Sequence, residues 1–177
     1  MSVRPSFAII GAGIGGLALA AFLSRNGTDV KVYEQASQFG RIGAGIQMSP
    51  NAVHVLRALG LEALLRRLAF RPSAWINRVW DSGEYLFELT FGAEAETRYG
   101  APYLLMHRGD LHAALFSAVP PELILFDRRL VGLDRGGAGL TLRFADGSSA
   151  LADVVIGADG VHSTVREILL GTDKPLR

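Results

Sequence analysis

Phe7-Ala8-Ile9-Ile10-Gly11-Ala12-Gly13-Ile14-Gly15-Gly16 is the stretch on which the fold turns. A short apolar run ended by glycines reads as a strand buried on both faces. Leu17, Ala20, Ala21 and Leu23 among good helix formers predict a helix over 15–26, stopped by Asn26 and Gly27. Residues 29–34 alternate, are rich in β-branched side chains and give the second strand. The sum is a β-α-β unit: a parallel pair joined by a crossover helix.

Within that unit Gly11, Gly13 and Gly16 satisfy G-x-G-x-x-G, and Gly15 adds a fourth glycine. With 21 glycines in 177 residues the spacing alone discriminates little, so the context decides. Gly11 lets the chain turn sharply out of the strand, Gly13 lets backbone approach a pyrophosphate, and Gly16 lets helix and strand pack closely. The helix N-terminus offers free N–H groups and the positive end of its dipole to phosphates. Glu34, ending the second strand, is placed to accept hydrogen bonds from the hydroxyls of an adenosine ribose and would repel a 2′-phosphate. Which dinucleotide is bound is left open here, because NAD dehydrogenases use the same geometry.

Working outward, Ser49-Pro50-Asn51 starts two short helices over 50–69, broken at Gly60. From Trp75 to Tyr103 the pattern becomes alternation around Asp81-Ser82-Gly83, a hairpin in a separate antiparallel layer. A strand over 103–107 and a helix over 111–118 follow, then strands over 123–126, 130–133 and 140–144. A buried strand over 153–156, the turn Gly157 to Gly160 and a helix capped by Ser163 close the chain.

With 18 Lys and Arg against 17 Asp and Glu, and no run of one sign, there is no basic stripe for nucleic acid or an anionic membrane surface. Cysteine is absent, which removes disulfides, thiolate metal sites and the redox cysteine pair of flavin disulfide reductases. His54, His107, His112 and His162 show no metal-ligand spacing and are expected to be packing or surface residues, so no metal is expected. No signal peptide or membrane span is predicted, and the expected location is the cytoplasm.

Three further segments, taken with the first, resemble the FAD-dependent aromatic hydroxylases of the p-hydroxybenzoate and salicylate hydroxylase type. Arg41-Ile42-Gly43-Ala44-Gly45-Ile46-Gln47-Met48-Ser49-Pro50 looks like the family's loop along the flavin. Met106-His107-Arg108-Gly109-Asp110-Leu111 looks like its H-R-x-D-L segment, and Gly157-Ala158-Asp159-Gly160 to Arg166 like its D-G motif. The resemblance spans essentially the whole chain and is especially close to the pyridine-ring hydroxylases. It implies an α/β, Rossmann-like FAD-binding βαβ fold with a parallel sheet, plus an antiparallel β insertion belonging to a substrate domain. The expected division is 1–72 for FAD binding, 73–104 for the insertion and 105–177 for FAD binding continued.

The resemblance also implies the function: a monooxygenase that hydroxylates a phenolic or hydroxypyridine carboxylate, using FAD, NADH or NADPH, and O2 through a flavin hydroperoxide. Its partner is a small aromatic substrate, with association as a homodimer. The expected cofactor residues are Gly11, Gly13, Gly15, Gly16, Glu34, Gln35, Arg41, Gln47, Arg108, Leu130 and Asp159. Leu130 would lend backbone groups to adenine. Two departures stand out. The pyridine-ring hydroxylases commonly carry a histidine where Gln47 stands, and an amide is no base at neutral pH, although it still hydrogen-bonds flavin or substrate. The family's second flavin motif, G-D-x-x-H, does not follow Arg177, so these residues are expected to be the N-terminal half, binding FAD weakly and hydroxylating nothing alone. Another FAD oxidoreductase of the same fold, or an NAD-binding dehydrogenase domain without flavin, is the alternative.

Overall fold

The structure, a computed structural model, describes residues 5–40, 43–137 and 139–171. In chain order the elements are β1 (Phe7–Ile10), α1 (Ile14–Arg25), β2 (Val30–Tyr33), β3 (Gly45–Met48), α2 (Pro50–Ala58) and α3 (Glu62–Leu68). Then come β4 (Ala74–Arg78), β5 (Tyr85–Thr90), α4 (Gly92–Tyr99), β6 (Leu104–His107) and α5 (Arg108–Ser117). The last are β7 (Ile124–Leu125), β8 (Leu130–Gly136), β9 (Gly139–Phe144), β10 (Ser149–Ala152), β11 (Val154–Gly157) and α6 (Thr164–Leu170). They form two compact units, one of Met1–Gly40 with Leu115–Arg177, the other of Arg41–Ala114.

The first unit holds an all-parallel sheet in the order β11-β1-β2-β7, and an antiparallel sheet in the order β10-β9-β8. The glycine motif therefore leaves a strand flanked on both sides, which explains why Ala8, Ile9 and Ile10 are all at most 4% exposed. Ala8, Ile10 and Tyr33 pack with Leu130, Leu142, Phe144, Ala152 and Val165, and Tyr33 stacks on Phe144 at 4.8 Å between ring centroids. Burial pushes the Tyr33 hydroxyl up in pKa. Leu17, Ala20 and Ala21 of α1 are fully buried, and α1 packs on β1 and β2. Asp153 fastens the start of β1 to β11, accepting from both the N–H and the hydroxyl of Ser6 at 2.8 Å.

The second unit contains two antiparallel ribbons, β3-β6 and β4-β5. The expected hairpin is β4-β5, but the alternating pattern does not continue to Tyr103. Residues 92–99 form α4, because Ala93, Glu94, Ala95 and Glu96 are strong helix formers and Gly100, at φ +70°, ends the helix in the left-handed conformation. The flavin-loop segment is likewise a strand, β3, paired with β6. A chain of ion pairs ties α2, α3 and α4: Glu62 bonds Arg57 and Arg66, and Glu96 bonds Arg66 and Arg71.

Two outcomes are expected. A Cβ on Gly16 would lie 2.0 Å from the Gly11 carbonyl oxygen, so Gly16→Ala should destabilise the fold by about 1–3 kcal/mol, against the normal helical gain from alanine; a thermal melt reads it. Arg57 and then Arg66 hold the Glu62 carboxyl down to about 2. A depressed acid stabilises above its ordinary pKa and loses that contribution as pH falls from 4.5 towards 2. The stability gap between wild type and Glu62→Gln, from urea midpoints, should therefore close across that range.

Candidate functional site

At the carboxyl end of β1 the chain must turn away from Ala158 without touching it. Gly11 does this at φ +99°, and a Cβ there would sit 2.6 Å from the Ala158 carbonyl oxygen. Gly13 and Gly15 are different. A Cβ on either would meet nothing within 4 Å, so no protein contact explains their lack of a side chain. Gly13 is also the N-cap of α1, which has no side-chain cap and no acidic residue in its first turn. The first intrahelical bond runs from Leu17 N–H to Gly13 O at 2.9 Å, so the amides before it stand at the positive end of the helix dipole with no bond inside the helix.

Glu34 stands beside this opening with its carboxylate already oriented. Its Oε2 accepts from Ala12 N–H at 2.8 Å and its Oε1 from Ala36 N–H at 2.9 Å. An ionised carboxylate has about four acceptor positions, so each oxygen keeps one for a ligand hydroxyl. Its backbone is clamped too: Glu34 N–H donates to Leu125 O, and Arg128 N–H donates to Glu34 O, at 2.9 and 2.8 Å.

Across from Glu34 lies Leu130. Its side chain is core, as expected of an apolar residue, but its backbone is the relevant part. Leu130 pairs with Phe144, and the bond between the strands is made by Ala145 N–H to Arg129 O at 2.9 Å. That pattern marks a non-hydrogen-bonded pair, so the N–H and C=O of Leu130 point away from β9, to the open edge of β8. A cleft of about 230 Å³ is lined here by Gly11, Gly13, Glu34, Gln35, Leu130 and Asp159, among others. This is below the roughly 300–1,000 Å³ of sites that enclose a drug-sized ligand, and suits one end of a dinucleotide. The sequence reading missed Arg128 and Arg129, which also line it; an Arg pair directly before a strand was the available signal. Arg128 is paired with Asp146 at 2.8 Å.

Asp159 has a structural job that the sequence reading did not give it. Its Oδ1 accepts from the Ser163 hydroxyl at 2.6 Å, its Oδ2 from Val165 N–H at 3.1 Å, and Ser163 Oγ accepts from Arg166 N–H at 3.0 Å. The carboxylate thus caps α6 while lining the cleft.

In the second unit Gly43, at φ +130°, lies against the Arg108 side chain, whose carbons would be 3.2 Å from a Cβ there. Arg108 N–H donates to Ala44 O at 3.0 Å, fixing this arginine where β6 passes into α5. The helix begins at Arg108, so Asp110 lies inside its first turn rather than before it. The amide of Gln47 accepts from the Tyr103 hydroxyl at 2.6 Å. Arg41 lies outside the described residues. Among the described residues no group of three or more His, Cys, Asp or Glu could hold a metal ion, and no helix is long and apolar enough to cross a membrane.

A glycine turn closed against β11, an uncapped helix N-terminus and a pre-oriented carboxylate define a dinucleotide-binding α/β domain. The chain belongs to the FAD binding domain family, whose model matches residues 5–173. It is 46% identical, over 99% of its length, to 6-hydroxynicotinate 3-monooxygenase of Bordetella bronchiseptica. It is also 46% identical, over 97% of its length, to a 3-amino-4-hydroxybenzoate 2-monooxygenase of Streptomyces platensis. It spans 46% and 43% of those relatives, a little under half. Among solved structures, HpxO of Klebsiella pneumoniae complexed with FAD and uric acid superposes with a TM-score of 0.83 at 32% identity, covering 97% of this chain and 43% of that one.

Because both Glu34 oxygens hold backbone N–H groups, Glu34→Gln replaces one acceptor by an amine facing a donor. It should lower the stability of the FAD-free chain by about 1–3 kcal/mol in urea titration, an effect a purely ligand-directed glutamate would not have.

Proposed function

We propose that this chain holds FAD in an NAD(P)H-dependent monooxygenase that hydroxylates a phenolic or hydroxypyridine carboxylate. The observation that carries the cofactor assignment is the pair Gly13 and Gly15, whose missing side chains leave space that no protein atom fills, at the free end of α1. In this reading Gly11 and Gly16 shape the turn, Gly13 and Gly15 admit the pyrophosphate, and the amides at the start of α1 bind it. Glu34 accepts from the adenosine ribose with the positions its backbone donors leave open, and Gln35 helps surround the adenosine. Leu130 offers adenine one donor and one acceptor from its outward-facing backbone. Asp159 borders the pyrophosphate while holding α6, and Arg41 and Arg108 supply cations to the cofactor.

The oxygen-transfer chemistry is that of FAD when bound and reduced by NADH or NADPH in the presence of O2. The residues of this chain bind and orient the cofactor, and Gln47 hydrogen-bonds flavin or substrate through its amide. Both curated relatives named above act, by their names, on a hydroxylated ring carrying a carboxylate, which supports the same substrate class here. The same reading places the protein in the cytoplasm.

Purified full-length protein should show the flavin absorption spectrum and yield labelled product from labelled O2. Gly13→Ala is the sharper test. Gly13 sits at φ −73°, ψ −176°, which alanine adopts freely. The variant should melt with the wild type yet bind FAD about tenfold or more weakly by fluorescence titration, since a methyl group there occupies phosphate space; unchanged FAD affinity would remove pyrophosphate from this turn.

A further inference from the structure

The β3-β6 ribbon has two unlike faces. Met48, Leu104 and Met106 are at most 7% exposed and form its inner face. Cross-strand partners share a face, so Gly45 with His107, and Gln47 with Leu105, lie together on the other. On that outer face two side chains have their hydrogen-bonding sense fixed by the protein. Tyr103 Oη donates to Gln47 Oε1 at 2.6 Å, which engages the carbonyl and turns the amine outward. Gly109 N–H donates to His107 Nδ1 at 3.0 Å, which leaves the ring proton of the neutral imidazole on Nε2. Gln47 and His107 are diagonal neighbours, roughly 7–8 Å apart at Cα. Between them Gly45 presents no side chain, and a Cβ there would approach nothing closer than Met106 O at 4.0 Å. The Tyr103 ring is itself held, stacked on Phe91 with centroids 4.0 Å apart and planes 4° from parallel.

We infer that this face receives an anionic ring oxygen, phenolate or carboxylate, of the aromatic substrate, through the Gln47 amine and His107 Nε2–H, with Tyr103 as the positioning residue that aims Gln47. The inference rests on the function proposed above and deepens it. The Gln47 carbonyl and His107 Nδ1 each already hold a donor from the protein, so the two side chains offer a ligand the Gln47 amine and the Nε2–H of the neutral imidazole on one face, and an oxygen anion suits two such donors. The flat Phe91–Tyr103 pair beside them gives an aromatic ring an apolar wall. The Tyr103 hydroxyl acts through Gln47 and its ring through the stack on Phe91, so removal of the hydroxyl alone isolates the positioning role.

The test is a double-mutant cycle in the full-length protein loaded with FAD, reading dissociation constants of 6-hydroxynicotinate, 4-hydroxybenzoate and salicylate from the flavin difference spectrum. Tyr103→Phe keeps the stack on Phe91 and should leave the melting temperature and FAD affinity unchanged. It should weaken the bound aromatic acid about five- to tenfold. In a Gln47→Ala background the same change should have no further effect, which a structural role would not produce. Gln47→Glu, which sets a carboxylate against the anion, should weaken it by more than Gln47→Ala does. Wild-type affinity in Tyr103→Phe, or an undiminished loss in the Gln47→Ala background, overturns the inference while leaving FAD binding intact. Binding of FAD with none of the three acids bound by wild type overturns it as well. Failure of the wild type to take up FAD overturns the proposed function, and this inference with it.

Discussion

Where β1 ends, three backbone segments meet at contact distance. A Cβ on Gly16 would lie 2.0 Å from Gly11 O, and one on Gly11 would lie 2.6 Å from Ala158 O. This crowding brings the start of α1 down onto the sheet and closes the β1 turn against β11. Everything functional in the first unit follows from that closure. The α1 amides point to one place, Glu34 reaches back from the end of β2 to Ala12, and the D-G turn borders the same opening. The glycines are thus of two kinds, those required by protein packing and those whose space the protein leaves empty.

The polar groups of the site do double duty in the same economy of contacts. Glu34 ties together the β1 turn and the chain after β2, and Asp159 caps α6. A carboxylate held by backbone N–H groups meets a ligand without first losing rotamer freedom, so ordering costs that would reduce affinity are met on folding. Removing either carboxylate therefore disturbs scaffold and ligand site together, and stability and binding must be measured separately to be distinguished.

The β-α-β unit and its acidic partner were legible in the sequence because each rule involved is local: an apolar run, glycines at a strand-to-helix turn, an acid at the next strand end. The antiparallel strands over 130–133 and 140–144 were legible for the same reason, from alternation and turn residues, although the first runs on to Gly136. Less was readable where partners are distant. Residues 45–48 look like a glycine loop and become a strand only because β6 pairs with them. Residues 92–99 were absorbed into the hairpin pattern by their aromatic neighbours, although their own helix propensity prevailed. Asp159 was singled out on resemblance, and its capping of α6 depends on a side-chain rotamer that no spacing rule supplies. Tyr103 read simply as a strand residue, since its pairing with Gln47 spans 56 positions.

The central strand of the parallel sheet has one neighbour close in sequence, β2, and the other, β11, some 147 positions away, where Ser6 meets Asp153. In synthesis, which runs from the N-terminus, β1, α1 and β2 emerge early with one side of β1 unpaired and the Ala158 wall of the cleft not yet made. The whole second unit is translated before β11 arrives to cover that edge. Cofactor capture at this cleft therefore waits until β11 has been made, and until then β1 keeps an unpaired strand edge.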